Sequence, residues 1–266
     1  MTAMTPGPPP QLDLRVGLGA DGGTAILHRH VAWPWSLPRG FRLRGREGPL
    51  TVLPQAAGAA LLPGDHWRHR ILLQDGHLHL VTAGAGLVHS GGPDGGAAMA
   101  HVDWSVEVAQ GRLALLPDPW VLSPGARMAQ RMRVVLPADA CLALMEGVCL
   151  RGAPTPATGW DSDTVIRRPS GQVVLRDRQR ASGDQLARLA GLPGGMRAFG
   201  QVLLLAPAAQ LAALDIAMGP WDDRDVWGAV APLRGDAGVM IRLAATSGGA
   251  LSAALDAWRA RLVAGL

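Results

Sequence analysis

Hydrophobic and polar residues alternate with a period of two along much of the chain. Leu12, Leu14, Val16 and Leu18 alternate with Asp13, Arg15 and Gly17. Phe41 and Leu43 alternate with Arg42 and Arg44, and Val102, Trp104, Val106 and Val108 with Asp103, Ser105 and Glu107. Met128, Met132 and Val134 alternate with Arg127, Arg131 and Arg133. Each run predicts a strand with one buried and one polar face. Turn signals stand between such runs. Asp75-Gly76, between 71–73 and 78–81, predicts a two-residue hairpin. Gln110-Gly111 and Pro169-Ser170-Gly171 punctuate the chain in the same way.

Three stretches switch to helical spacing. Leu211, Leu214 and Met218 predict a helix over 208–218, stopped by Gly219-Pro220. Leu251, Leu255, Trp258 and Leu262 predict a closing helix, with Ser247 or Ser252 as its cap and Arg259 and Arg261 suited to its C-terminal dipole. A third, weaker helix is expected over 184–190. The fold class that follows is mostly β: a large multi-stranded assembly, solenoid-like or of stacked sheets, with two or three short helices, one of them C-terminal. No internal repeat of fixed period is visible. Residues 1–11 are rich in proline, lack the basic and apolar regions of a signal peptide, and read as a disordered lead-in to one domain over 12–266.

Composition changes this picture little. Of the 266 residues 48% are hydrophobic, enough for a sizeable core, and only 17% are charged, fewer than the usual quarter, which suits a surface partly covered by a partner. The sequence pI of about 10.6 rests on a formal charge of only +4. Lys and Tyr are both absent, so almost nothing titrates between His and Arg, and a small excess persists to high pH. This is compositional bias, not a strong basic field. Cys141 and Cys149 form no disulfide framework and suit a reducing cytoplasm. No apolar stretch is long enough to span a bilayer.

The densest polar cluster, 64–69, holds Asp65, His66 and His69, with His77, His79 and His89 following. Imidazole and carboxylate suit a weak or transient divalent site. Strand geometry puts His77 and His79 on one face. The alternative is a set of ordinary exposed histidines, because the spacing matches no closed site. Glu146, in an apolar run, either lines a polar channel through the core or pairs with an arginine such as Arg151. Pro117-Asp118-Pro119 is a rigid, shaped loop. A nucleophile elbow, a phosphate-binding loop and a dinucleotide fingerprint are all missing. The arginines at 167, 168, 176, 178 and 180 are flanked by Asp161, Asp163, Asp177 and Asp184 and lack stacking aromatics, which favours a solvated or protein-binding face over nucleic acid.

Several segments, in order, resemble the UreD/UreH family of urease accessory proteins. They are the Gly-rich stretch from Gly58 to Gly64-Asp65, the Thr82…Ser90 segment, and Leu116-Pro117-Asp118-Pro119. Gly125-Ala126-Arg127 with Gln130, and Glu146 followed by Arg151-Gly152, complete the series. Leu62-Pro63 departs from the family pattern, as befits a divergent member. The resemblance implies a non-enzymatic β scaffold that binds a UreF-like protein and, through it, a UreG-like GTPase. The complex docks on apo-urease and passes nickel inward with no tightly held cofactor. It marks Asp65, Glu146, His66, His69 and His89 as transit candidates. It marks Gly64, Pro117, Asp118, Pro119, Arg127, Gln130 and Arg151 as structural or partner positions. Two rivals stand beside it. A small-molecule- or glycan-binding β domain would need several of the nine Trp to converge, and they are scattered along the sequence. A metal-dependent hydrolase would need three converging ligands.

Overall fold

The computed structural model describes residues 8–58, 60–91 and 98–265. In chain order the strands are β1 (Leu12–Leu18), β2 (Thr24–Val31), β3 (Trp35–Ser36), β4 (Leu50–Val52), β5 (Gln55–Ala56), β6 (His66–Leu73), β7 (His77–Val81), β8 (Gly86–Val88), β9 (Ala100–Val108) and β10 (Arg112–Leu116). They continue with β11 (Trp120–Leu122), β12 (Arg127–Val135), β13 (Cys141–Leu150), β14 (Gly159–Arg167), β15 (Val173–Ser182), β16 (Ala198–Leu205), β17 (Gly219–Asp223), β18 (Val226–Pro232) and β19 (Gly238–Ala245). The helices are α1 (Gly183–Ala190), α2 (Ala208–Ala213) and α3 (Gly248–Gly265). The expectation of a mostly β assembly with a closing helix holds. Among the described residues no helix is long and apolar enough to cross a membrane.

Two large sheets stack face to face. The seven-stranded one runs β15-β14-β12-β9-β6-β1-β2; the ten-stranded one runs β17-β18-β19-β16-β13-β10-β7-β4, with β8 and β11 on a side branch. In the centre the strands are parallel and the chain winds from sheet to sheet as a solenoid. His66 faces His101, His101 faces Ala129, and Ala129 faces Asp161, so successive rungs lie 35, 28 and 32 residues apart. That unevenness hides the repeat in the sequence.

The turn at Asp75-Gly76 corrects the expected hairpin. β6 already has β1 and β9 on its two sides, so it has no free edge for β7, which joins the other sheet between β10 and β4. Asp75-Gly76 is therefore a solenoid corner, and Gln110-Gly111 is the next one. The corners stack: Arg112 N donates to Gly76 O at 2.9 Å, and Cys141 N donates to Gly111 O at 3.0 Å. Gly111 has φ +95°, and a Cβ there would lie 2.1 Å from Gly76 O. Pro169-Ser170-Gly171, by contrast, does join an antiparallel pair, β14 and β15.

Two other expectations need correction. Residues 41–44 form no strand: Phe41 makes a single bridge to Thr51, and Leu43 is 83% exposed. Gly45, at φ +71°, turns the chain there before a strand can extend. The helix predicted over 208–218 ends at Ala213. Pro207 provides no side-chain cap, and Asp215 takes a left-handed φ of +45°. Residues 219–223 form β17 instead, and Met218 is exposed. α1 carries a full capping box between Ser182 and Gln185, and Ser247 Oγ accepts from Ala250 N at 3.1 Å at the start of α3. Of the lead-in, residues 1–7 lie outside the described residues. Gln11 is tied to β6 through His66 O and Arg68 N.

The space between the sheets is filled by two apolar clusters. One gathers Leu12, Leu14, Ile71, Leu78, Leu113, Leu142, Ile166 and Leu203; the other gathers Trp67, Val102, Met128, Val148 and Trp160. α3 covers the far side of the ten-stranded sheet, burying Leu251, Leu255 and Leu262. Full burial of such a side chain stabilises the fold by roughly 1.5–3 kcal/mol.

A polar seam beside a tryptophan-walled cavity as candidate functional site

The two interior clusters do not meet cleanly. On β12 the inward residues run Met128, Gln130, Met132, and on β13 they run Leu144, Glu146, Val148. Period two thus places one polar residue between apolar ones on each strand. β14 and β16 add Ser162 and Gln201, the register partners of Gln130 and Glu146. Four polar side chains from both sheets meet at one level of the core.

Glu146 is their centre and is 3% exposed. Its carboxylate accepts from Gln130 Nε2 at 2.6 Å, from Ser162 Oγ and from Gln201 Nε2. Gln130 Oε1 in turn accepts from Trp120 Nε1 at 3.0 Å. Burial pushes the Glu146 carboxyl above its ordinary range, against the lowering effect of these three donors, and nearby Asp177 adds to the rise. The pairing with Arg151 is not made; every recorded partner of Glu146 is neutral. Beyond Gln201 lies its register partner Arg242, which bonds Asp177 of the opposite sheet. The polar level therefore runs on to β19 and to β15, the edge strand of the seven-stranded sheet.

At the other end of the seam is a cavity of about 430 Å³. Trp35, Trp67, Trp104 and Trp120 line it together with His69 and Gln130. The scatter of Trp along the sequence is thus undone by the fold. His69 is 2% exposed and stacks on Trp104 with centroids 4.0 Å apart. Its Nδ1 lies 3.1 Å from Asp103 O, an acceptor, so Nδ1 carries the proton and Nε2 is a bare lone pair. That Nε2 is buried and unpartnered. Burial lowers the pKa of His69 to about 4 despite the raising effect of Asp103, so the ring is neutral.

The histidine cluster read from the sequence is split by strand alternation. His69 points inward. His66 lies on the outer face with Nε2 2.7 Å from Asp103 Oδ2 and its ring 5.5 Å from that of His101. His89 is exposed elsewhere, its backbone N bonded to Leu61 O. His77 and His79 share one face, as strand geometry requires. Asp65 closes a turn: its Oδ2 accepts from Leu62 N at 2.8 Å, and Gly64 takes φ +84° beside it. Among the described residues no three His, Cys, Asp or Glu side chains are grouped to hold a metal ion.

The Pro117-Asp118-Pro119 loop is a tie. Asp118 Oδ2 accepts from Thr82 Oγ1 at 2.8 Å, and Oδ1 accepts from Arg259 of α3 at 3.0 Å. Pro119 packs where a Cβ on Gly147 would come within 3.1 Å, directly after Glu146. The loop so holds the cavity rim, the seam and the last helix in one unit. Arg127 stands on the outer side of β12, and Arg151 is exposed, with its N bonded to Leu122 O. Sequence reasoning missed Ser162, Gln201, Trp120 and Arg259. Gln201 carried the same signal as Glu146, a polar residue inside an apolar run; Arg259 was legible only as a charge suited to the end of the closing helix, and Ser162 carried no signal. The outer arginines are paired, Asp161 serving Arg178 and Arg180 and Asp163 serving Arg133 and Arg176.

Sequence comparison with known proteins covers nearly the whole chain. The sequence profile of the UreD urease accessory protein family matches residues 10–265. The chain is 31% identical to urease accessory protein UreD 1 of Methylorubrum extorquens over 96% of this chain and 89% of that one. It is 30% identical to UreD 3 of a Bradyrhizobium species over 89% and 84%, and 29% identical to UreD of Mycolicibacterium smegmatis over 87% and 83%. A match across nearly every described strand and helix means that this chain belongs to the UreD family of urease accessory proteins.

Proposed function

We propose that this protein is a scaffold in urease maturation that docks a UreF-like partner, with its UreG-like GTPase, on apo-urease and lets nickel pass through its interior. The scaffold makes or breaks no covalent bond itself. It works in the cytoplasm, in keeping with two free, buried thiols.

One observation carries the transit reading: Glu146 is a buried carboxylate whose recorded partners are all neutral. A carboxylate removed from water without a counter-charge is costly, and a passing divalent cation offsets that cost. The neighbouring donors are amide and hydroxyl oxygens and the bare His69 Nε2. Such ligands are weak and exchangeable toward Ni²⁺, as cargo in transit requires, because a tight site would trap the ion. Through Gln130, which lines the cavity together with His69 and bonds Glu146, the cavity adjoins the seam. Asp65, His66 and His89 stand outside the seam and the cavity.

The test is deletion of the gene, with urease activity and urease nickel content measured before and after complementation. Loss of both, restored by the wild-type gene and poorly by Glu146→Ala, is the expected result. Fully active, nickel-replete urease in the deletion strain would sink the proposal. The convergence of four Trp on one cavity keeps a second reading open, a binding site for a small apolar molecule. It predicts quenching of Trp fluorescence by a soluble indole or naphthalene probe and no effect of the deletion on urease.

A further inference from the structure

His77 and His79 lie on the face of β7 opposite to the sheet-to-sheet core, since Leu78 and Leu80 fill that core. Their Nε2 atoms are 3.0 Å apart, and their ring centroids are 4.6 Å apart at an interplanar angle of 83°. A head-on N–H···N bond does not give this second distance. An imidazole nitrogen sits about 1.15 Å from its ring centre, so head-on rings with this N···N separation would have centroids about 5.3 Å apart. Two imidazoles holding one ion at about 2.1 Å and at a right angle put their nitrogens about 3.0 Å apart and their centroids about 4.6 Å apart. Both distances meet that pattern, as they also do a bent N–H···N contact between the rings. A tetrahedral ion would need nitrogens about 3.4 Å apart.

We propose that His77 and His79 form a two-imidazole chelate for a divalent first-row cation that accepts right-angled ligands, of which Cu²⁺ and Ni²⁺ are the types. Among the described residues no third His, Cys, Asp or Glu completes the set, so water or a donor from another molecule fills the remaining positions. The surroundings tune it to be loose. His79 is 3% exposed and His77 half-buried, while Arg44 and Arg112 lie near enough to repel a cation. Thr51, the register partner of His79 on β4, offers a hydroxyl on the same face. The site lies outside the seam that holds Glu146, on the other side of the ten-stranded sheet, and does not depend on transit through the core.

The experiment uses the full chain, stripped with a chelator and titrated with Cu²⁺. Electron paramagnetic resonance reads nitrogen hyperfine coupling, and calorimetry with Ni²⁺ reads affinity. The wild-type protein should show two coupled imidazole nitrogens in one bound equivalent. His77→Ala and His79→Ala should each weaken binding by at least about tenfold, since loss of even an outer partner of a metal ligand costs about that much. His66→Ala with His101→Ala should leave it unchanged. As a measurement free of variants, side-chain imidazole resonances of His77 and His79 in the wild-type protein should broaden first on adding Ni²⁺. Binding unchanged in both single variants, or broadening of other histidines with these two spared, overturns the chelate. Lost Cu²⁺ binding with urease activation retained supports the chelate and leaves the core transit reading to its own test.

Discussion

Two carboxylates, Glu146 in the core and Asp163 on the outer face of the seven-stranded sheet, meet opposite solutions to the same problem. Burial pushes Glu146 up, and its three hydrogen-bond donors bring no formal charge. Burial also pushes Asp163 up, but the hydrogen bond and charge of Arg133, with Arg176 and Arg178 behind it, prevail and hold it below the usual carboxylate range. On the outer face, Asp161 and Asp163 are matched by the charges of Arg133, Arg176, Arg178 and Arg180. The interior retains a carboxyl group with no charged partner, a costly feature that well-packed apolar side chains would avoid. The difference teaches where function sits: the paired face is architecture, and the unpaired seam is the place prepared for a visitor.

Several measurements would sharpen or break that contrast, and acid should have the largest effect. His69, His77 and His79 each have pKa values lowered to about 4, by burial first, against an ordinary 6.5. Between those values the unfolded chain binds protons that the folded chain does not, so stability falls as pH drops from about 6.5 toward about 4. Glu146 works the other way: its raised carboxyl binds a proton in the folded state first, which adds stability as pH falls. The urea midpoint should therefore fall from pH 7 to pH 5, and fall more steeply in Glu146→Gln, where the opposing uptake is gone. A midpoint flat with pH would refute the buried neutral imidazoles.

Next in size is Glu146→Ala. It strands Gln130, Ser162 and Gln201 without their acceptor and should cost roughly 3–5 kcal/mol in urea unfolding. Asp118→Ala releases Thr82 and Arg259 together and should cost roughly 1–3 kcal/mol, with α3 exchanging amide hydrogens faster than the sheets. Asp163→Asn should cost only about 0.2–1 kcal/mol, and less still in high salt, because its arginines face solvent. Equal costs at Glu146 and Asp163 would erase the distinction between the two regions.

Much of the fold was legible because alternation is a local property. β1, β9 and β12 follow directly from their period-two runs, and the closing helix from Leu251, Leu255 and Leu262. What local pattern could not distinguish was a corner from a hairpin. Gly76, Gly111 and Gly171 all adopt positive φ, yet the first two pass the chain to the facing sheet and the third returns it within one. The decision lies with which edges are already occupied, and that is non-local. The site shows the same limit. Glu146 stood out as a charge in an apolar run, but its partners come from strands 16 and 55 residues away, and nothing near Ser162 announces its part. His66 and His69 looked like one cluster because they are neighbours in sequence; an odd spacing on a strand put them on opposite faces.

The stacked corner at Gly76 and Gly111 sets a boundary on how this chain can drift. The sequence contains no lysine or tyrosine and is rich in alanine, a marked compositional bias. At residue 111 a single added methyl would strike the carbonyl of the rung beneath. Parallel rungs meet there at the spacing of one strand to the next, and every rung beyond would be tilted with it. Whatever pressure reshapes its exterior, the winding of this molecule is fixed by a column in which the smallest side chain is already too large.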